Sequence, residues 1–181
     1  IPSAFSSNGD AFASHNKTAE NGADIETELP IDLFPSPAEL WQRYKKFRNI
    51  KESEEDLILQ PYYQDASGKA PRYYQAEAVN RTIEAVAKGQ KRLLLVMATG
   101  TGKTFTTFQI IWRLWKAKKA KRILFLVDRN ILADQTLVND FKPFGSVMTK
   151  VKNRKIDPAY EIHLGLYQAL TGPDEEDKIF K

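Results

Sequence analysis

An α/β fold with a mostly parallel sheet is what the sequence predicts, on three observations. The apolar run "RLLLVM" (92–97) is too short for a free-standing helix and suits a strand buried on both faces, "RILFLV" (122–127) is the next buried strand, and "EIHLGLY" (161–167) is a third strand candidate. Segments with apolar residues at helical spacing lie between them, and such alternation implies parallel strands joined by right-handed crossovers. The first run passes into its helix through "MATGTGKT" (97–104), a glycine-rich turn that ends in Lys-Thr.

Taken in order, "IPSAFSSNGDAF" has apolar stretches on either side of Asn8-Gly9, which signals a hairpin. Residues 13–34 are polar and acidic without a sustained period and read as a loop. In "PSPAELWQRYKKF", Ser36 can cap, Pro37 fits the first helical position and Glu39 completes a capping box, so a short amphipathic helix carries Leu40, Trp41, Tyr44 and Phe47. Residues 61–71 are rich in turn formers and read as a connector. A helix then follows from Arg72, with Tyr74, Ala78, Ile83 and Val86 on its apolar side and Gly89 as a left-handed cap. Residues 103–119 form the helix after the glycine-rich turn, with Phe108, Ile111, Trp112 and Trp115 facing inward, and a further helix is predicted over 130–140.

The 181 residues are 42% hydrophobic, enough for one compact core with material left over at an end. The chain begins without Met and stops in a charged stretch, so the expectation is a piece of a longer protein. The absence of cysteine excludes a disulfide framework and a thiolate metal site, and no apolar run approaches the ~20 residues of a membrane span. A soluble, cytoplasmic protein without a membrane partner is predicted. The net charge of +4 is uneven: residues 1–70 carry 7 Lys/Arg against 12 Asp/Glu, whereas residues 71–181 carry 20 against 11. The second part is the candidate for a polyanionic partner.

A strand, then glycines, then Lys-Thr opening a helix is the context of a P-loop. Gly100 and Gly102 let the backbone turn tightly and aim its N–H groups inward, where the helix N-terminus adds partial positive charge. Lys103 would reach the outer phosphates of a nucleotide and the Thr104 hydroxyl would ligate magnesium. The strict pattern asks for glycine where this chain has Met97. Upstream, the amide of Gln75 complements the N6/N7 edge of adenine, and Tyr73 or Tyr74 could stack on the base.

These stretches resemble superfamily 2 nucleic-acid motors: "RYYQ" is similar to the adenine-reading Q motif, "MATGTGKT" to motif I and "LVDRNILADQ" to motif Ia. More narrowly, "MATGTGKT" with "FLVDRNILADQ" and "LGLYQAL", preceded by "SNG" and "FPSPAELW", resembles the R (motor) subunit of type I restriction enzymes. The resemblance implies that residues 71–181 are the first RecA-like lobe of a P-loop NTPase, incomplete here, that residues 31–70 are a connector, and that residues 1–30 are the edge of an upstream nuclease domain and a loop. It implies that Gln75 contacts adenine and that Thr99, Gly100, Thr101, Gly102, Lys103 and Thr104 hold the phosphates of ATP and magnesium. Asp128, Arg129, Gln135, Tyr167 and Gln168 would lie near a double-stranded DNA track or couple it to the nucleotide. Movement along duplex DNA at the expense of ATP, cleavage by the nuclease domain, and assembly with modification and specificity subunits are the implied activity and partners. Nuclease carboxylates would precede Ile1, and the magnesium-binding acid would follow Lys181. A superfamily 2 helicase without a nuclease and a nucleotide-switched interaction module are the alternative readings.

Other features have a plainer reading beside the functional one. Asp128, after "RILFLV", fits motif Ia, a helix cap or a magnesium-binding acid, in that order, since Arg129 stands where a motor's catalytic Glu would follow. "DEED" (174–177) follows Gly172-Pro173 and reads as a solvated acidic loop. "KAKKAKR" (116–122) and "KVKNRK" (150–155) could grip phosphates, but lysines at a helix C-terminus are favoured by the macrodipole alone. His15 and His163 have no metal partners at ligand spacing, and Trp112 and Trp115 read as packing residues.

Overall fold

Asn8 turns the chain back on itself: its Oδ1 accepts the N–H groups of Asp10 and Ala11, both at 3.0 Å, while Gly9 takes a φ of 104°. Strands β1 (Ser3–Ser7) and β2 (Ala11–Asn16) therefore pair antiparallel, with Ser7 opposite Phe12. A computed structural model of the chain describes residues 2–19, 25–66, 68, 70–127, 141–151 and 155–167. They fall into two compact units, Ile1–Glu55 and Asp56–Lys181.

In the first unit, β3 (Glu26–Pro30) adds to β2 to give the antiparallel order β1-β2-β3. Phe12 and Ser14 are buried, and the Phe12 ring meets those of Phe5 and Phe34 at 6.0 and 5.1 Å. The stretch 13–34, expected as loop, thus contains the end of β2, all of β3 and a 3-10 turn at Ile31–Leu33. In "ETELP" the apolar alternation is absent, and the strand exists through its backbone ladder to β2. Helix α1 (Pro37–Arg48) starts as predicted, with the Ser36 N–H donating to Glu39 Oε2 at 2.8 Å and the Glu39 N–H donating to Ser36 Oγ at 3.3 Å. It ends at Asn49 in the left-handed region. None of its residues is fully buried, so its amphipathic face is weaker than expected.

The sequence signals missed helix α2 (Glu52–Ile58), whose Leu57 is buried. Helix α3 (Tyr73–Ala87) ends where Gly89 adopts a φ of 86°, and α4 (Lys103–Lys116) follows the glycine-rich turn. Strands β4 (Ile123–Val127), β5 (Met148–Lys150) and β6 (Ile162–Leu166) form a parallel sheet in the order β4-β6-β5, which bears out the α/β class with a parallel sheet. The short β5 and the 3-10 turn at Lys142–Val147 were not expected. Helix α4 serves two cores. Phe108 and Ile111 join Phe141, Phe144, Met148, Ile162 and Leu164, whereas Ile110 packs with Leu57, Val79 and Ile83.

Two strand expectations need correction. Residues 92–97 pair with no strand among the described residues, and Leu94 and Val96 are 88% and 87% exposed. An apolar run becomes a buried strand only where another strand's N–H and C=O groups lie beside it, and none is described there. Strand β4 is buried on one face only: Ile123, Phe125 and Val127 pack on the core while Leu124 and Leu126 are exposed. The third candidate is a strand, β6, which lies in the middle of its sheet and is buried on both faces. The helix predicted over 130–140 lies outside the described residues. No helix among the described residues is long and apolar enough to cross a membrane.

Candidate functional site

The turn 97–102 carries two left-handed glycines, Gly100 at φ 79° and Gly102 at φ 82°. That conformation is open to glycine at little cost and strained for other residues. The Thr101 hydroxyl braces the turn by donating to the Ala98 carbonyl at 2.7 Å. Gly102 is the N-cap of α4 and offers no side chain, so the helix starts without a side-chain cap. Lys103 opens the helix on the exposed side, and its Nζ donates to the Met97 carbonyl at 3.3 Å. Met97 takes part in the turn through its backbone carbonyl. Thr104, half-buried, is the next residue of α4. A helix N-terminus without a side-chain cap, paired left-handed glycines and a lysine parked on a neutral acceptor are a donor set suited to a polyanion such as a nucleotide's phosphates.

Gln75 reaches this turn from α3. It is 7% exposed, its Oε1 accepts the Arg72 N–H at 2.9 Å, and its Nε2 donates to the Thr101 carbonyl at 2.8 Å. A β-carbon on Gly102 would stand 2.4 Å from that Nε2. Tyr73 is 87% exposed, and its ring meets that of Tyr74 edge-on with centroids 5.4 Å apart. Tyr74 accepts a hydrogen bond from Arg72 Nη1 at 3.3 Å. The structure thus brings Gln75 to the turn that holds Gly100 to Lys103. Tyr167 follows β6 with an exposed ring. Asp128, Arg129, Gln135 and Gln168 lie outside the described residues.

Behind the site, the sequence missed a polar clamp on α4. Gln109, fully buried, accepts the Tyr63 N–H at 2.9 Å and donates to the Tyr63 carbonyl at 3.1 Å. One turn on, the buried Arg113 donates to Asn80 Oδ1 at 2.8 Å and to the Ile58 carbonyl, and its guanidinium lies 5.0 Å from the Tyr62 ring centroid. Burial lowers the pKa of Arg113 and raises that of Tyr62, whose hydroxyl donates to the same Asn80 oxygen at 2.7 Å. The available signal was a Gln and an Arg at i, i+4 within an apolar helix face.

The basic run begins on packing: Lys116 Nζ lies 4.7 Å from the centroids of both Trp112 and Trp115, which pack on Phe144. His163 is buried with its Nε2 2.9 Å from the Asp157 carbonyl, and His15 Nδ1 pairs with Glu26 at 3.0 Å. Among the described residues no three His, Cys, Asp or Glu side chains group to hold a metal.

A parallel sheet together with such a turn defines a class, and comparison with known proteins places the chain in it. Residues 68–180 match the family described as "Type III restriction enzyme, res subunit", and the chain belongs to that family. The match to type I restriction enzymes is closer still, as the motif resemblance implied. The chain is 61% identical over all 181 residues to the type I restriction enzyme EcoAI endonuclease subunit of Escherichia coli. It is 36% identical over 140 residues to the EcoKI endonuclease subunit of Escherichia coli strain K12. A solved fragment described as an HsdR subunit of a type I restriction enzyme from Vibrio vulnificus YJ016 superposes with a TM-score of 0.73 at 36% identity, over 94% of this chain and 30% of that one. The chain spans 22% of the EcoAI subunit and 12% of the EcoKI subunit. It is homologous to a helicase-like region of type I restriction enzyme R subunits.

Proposed function

We propose that this chain is part of the ATP-dependent DNA translocase of a type I restriction endonuclease, with ATP and magnesium held at the turn before α4 and double-stranded DNA as the track. The observation that carries the reading is Lys103, held on the Met97 carbonyl at the start of a helix that follows two left-handed glycines. Exchanging a neutral carbonyl for an anionic phosphate oxygen turns a contact with one charged partner into an ion pair. Thr99, Gly100, Thr101 and Gly102 would line the phosphates, Lys103 would neutralise charge on the outer ones, and the Thr104 hydroxyl would hold magnesium. On the base side, Tyr73 offers an open ring for stacking. Gln75 keeps one N–H and one lone pair, beyond the bonds it already makes, for the adenine edge.

Asp128, Arg129, Gln135, Tyr167 and Gln168 are assigned to DNA on the motif resemblance, with modification and specificity subunits as partners. Residues 71–181 would be the first motor lobe, 31–70 a connector and 1–30 the edge of a nuclease domain. A motor without a nuclease is the second reading, favoured by 37% identity over 84 residues to UvrABC system protein B of Prochlorococcus marinus (strain MIT 9303). The 61% identity along the whole chain supports the restriction enzyme.

The test is DNA-stimulated phosphate release and translocation by the full-length protein. Lys103→Ala should abolish both and leave the fold intact, because a charge-assisted phosphate contact contributes ~1.5–3 kcal/mol to binding and more in the transition state. Wild-type rates in the variant would sink the reading.

A further inference from the structure

We propose that Gln75 is a positioning residue that holds the phosphate loop through the Thr101 carbonyl, so that losing its amide weakens the binding of any triphosphate, whatever base it carries. The inference rests on the reading that this turn binds a triphosphate. It separates two jobs that a base-reading glutamine would combine.

The geometry sets the direction of the effect. Oε1 accepts the Arg72 N–H and Nε2 donates to the Thr101 carbonyl, so the orientation of the amide is fixed at both ends. A trans peptide carries its C=O and the following N–H in one plane and in opposite directions. Fixing the Thr101 carbonyl toward Gln75 therefore aims the Gly102 N–H away from Gln75, and that N–H belongs to the residue that caps α4. The bond lies in a buried setting, where the loss of a partner is costly. Gly102 complements this contact: its missing β-carbon would stand 2.4 Å from Gln75 Nε2, so the strut fits because residue 102 has no side chain. A residue that served only to read adenine would not need both ends of its amide tied to backbone.

The experiment measures the dissociation constants of magnesium-ATP, magnesium-GTP and magnesium tripolyphosphate for the full-length protein, for Gln75→Ala, and for Gln75→Met, which keeps the bulk and removes both hydrogen bonds. The expected result is one common weakening for all three ligands, about fivefold to tenfold as for one lost hydrogen bond. An extra loss seen only with ATP would add base reading to the strut and leave the common loss standing. Unchanged tripolyphosphate affinity in both variants, with losses confined to ATP, would overturn the inference and leave the phosphate site intact. If Gln75→Ala unfolds, Gln75→Met decides. A wild-type protein that binds none of the three would overturn the phosphate reading itself, and this inference with it.

Discussion

Gln109 and Tyr63 are joined by a pair of hydrogen bonds, the Tyr63 N–H donating to Gln109 Oε1 at 2.9 Å and Gln109 Nε2 donating to the Tyr63 carbonyl at 3.1 Å. A fully buried side chain of the helix that follows the glycine-rich turn thus pairs with an irregular segment as another strand would. Replacing it with leucine leaves two backbone groups without partners. Gln109→Leu should cost about 2–4 kcal/mol of stability, read as a lower urea midpoint at an unchanged slope. A midpoint equal to that of wild type would mean that water serves Tyr63 equally well.

The neighbouring clamp makes stability depend on alkaline pH. Burial raises the Tyr62 hydroxyl above its ordinary 10.0, against the opposing pull of the Arg113 charge. The folded protein therefore keeps its Tyr62 proton to higher pH than the unfolded chain does. The contribution is fully present below about pH 10 and is lost as pH rises through the folded value. Unfolding free energies measured from about pH 9 to 11 should fall less steeply for Tyr62→Phe than for wild type. Parallel curves would show that Tyr62 titrates alike in both states.

Gly102 and Gln75 should behave as a coupled pair. Gly102→Ala puts a β-carbon where Gln75 Nε2 lies and places alanine at a φ of 82°, at a cost of about 1 kcal/mol or more from the backbone alone. The displaced amide should release Thr101. Nucleotide affinity of the double variant Gly102→Ala, Gln75→Ala should then exceed the value that adding the single losses gives. Strict additivity in a double-mutant cycle would argue that alanine at 102 acts through its own backbone only.

Arg129 lies outside the described residues and is assigned to DNA by its motif. If it neutralises a phosphate, the slope of log affinity for duplex DNA against log salt should become shallower by about one unit in Arg129→Ala of the full-length protein. Equal slopes would return Arg129 to a structural role.

The features that could be read from the residues share a short range. The Asn8-Gly9 turn, the Ser36–Glu39 capping box, the Gly89 cap and the glycine turn before Lys103 each depend on groups within a few positions of one another, and local sterics and hydrogen bonding decide them. The same holds for α3 and α4, whose apolar period recurs within one helix.

Tertiary structure decided the rest. β3 has no apolar pattern and exists because β2 offers it a ladder, whereas the apolar run 92–97 has the pattern and no described ladder. Burial follows neighbours that periodicity cannot supply, and so β4 shows one face to solvent while β6, between two strands, shows none. Gln75 stood out among the residues, but its partner did not: the Thr101 acceptor is a backbone carbonyl, which every residue carries, and only the packing of α3 against the turn selects it. Gln109 and Arg113 look like ordinary polar positions on a helix until Tyr63, Ile58 and Asn80 close over them. A hydrogen bond to backbone leaves no mark on residue identity at the acceptor, and the fold alone brings that acceptor within reach.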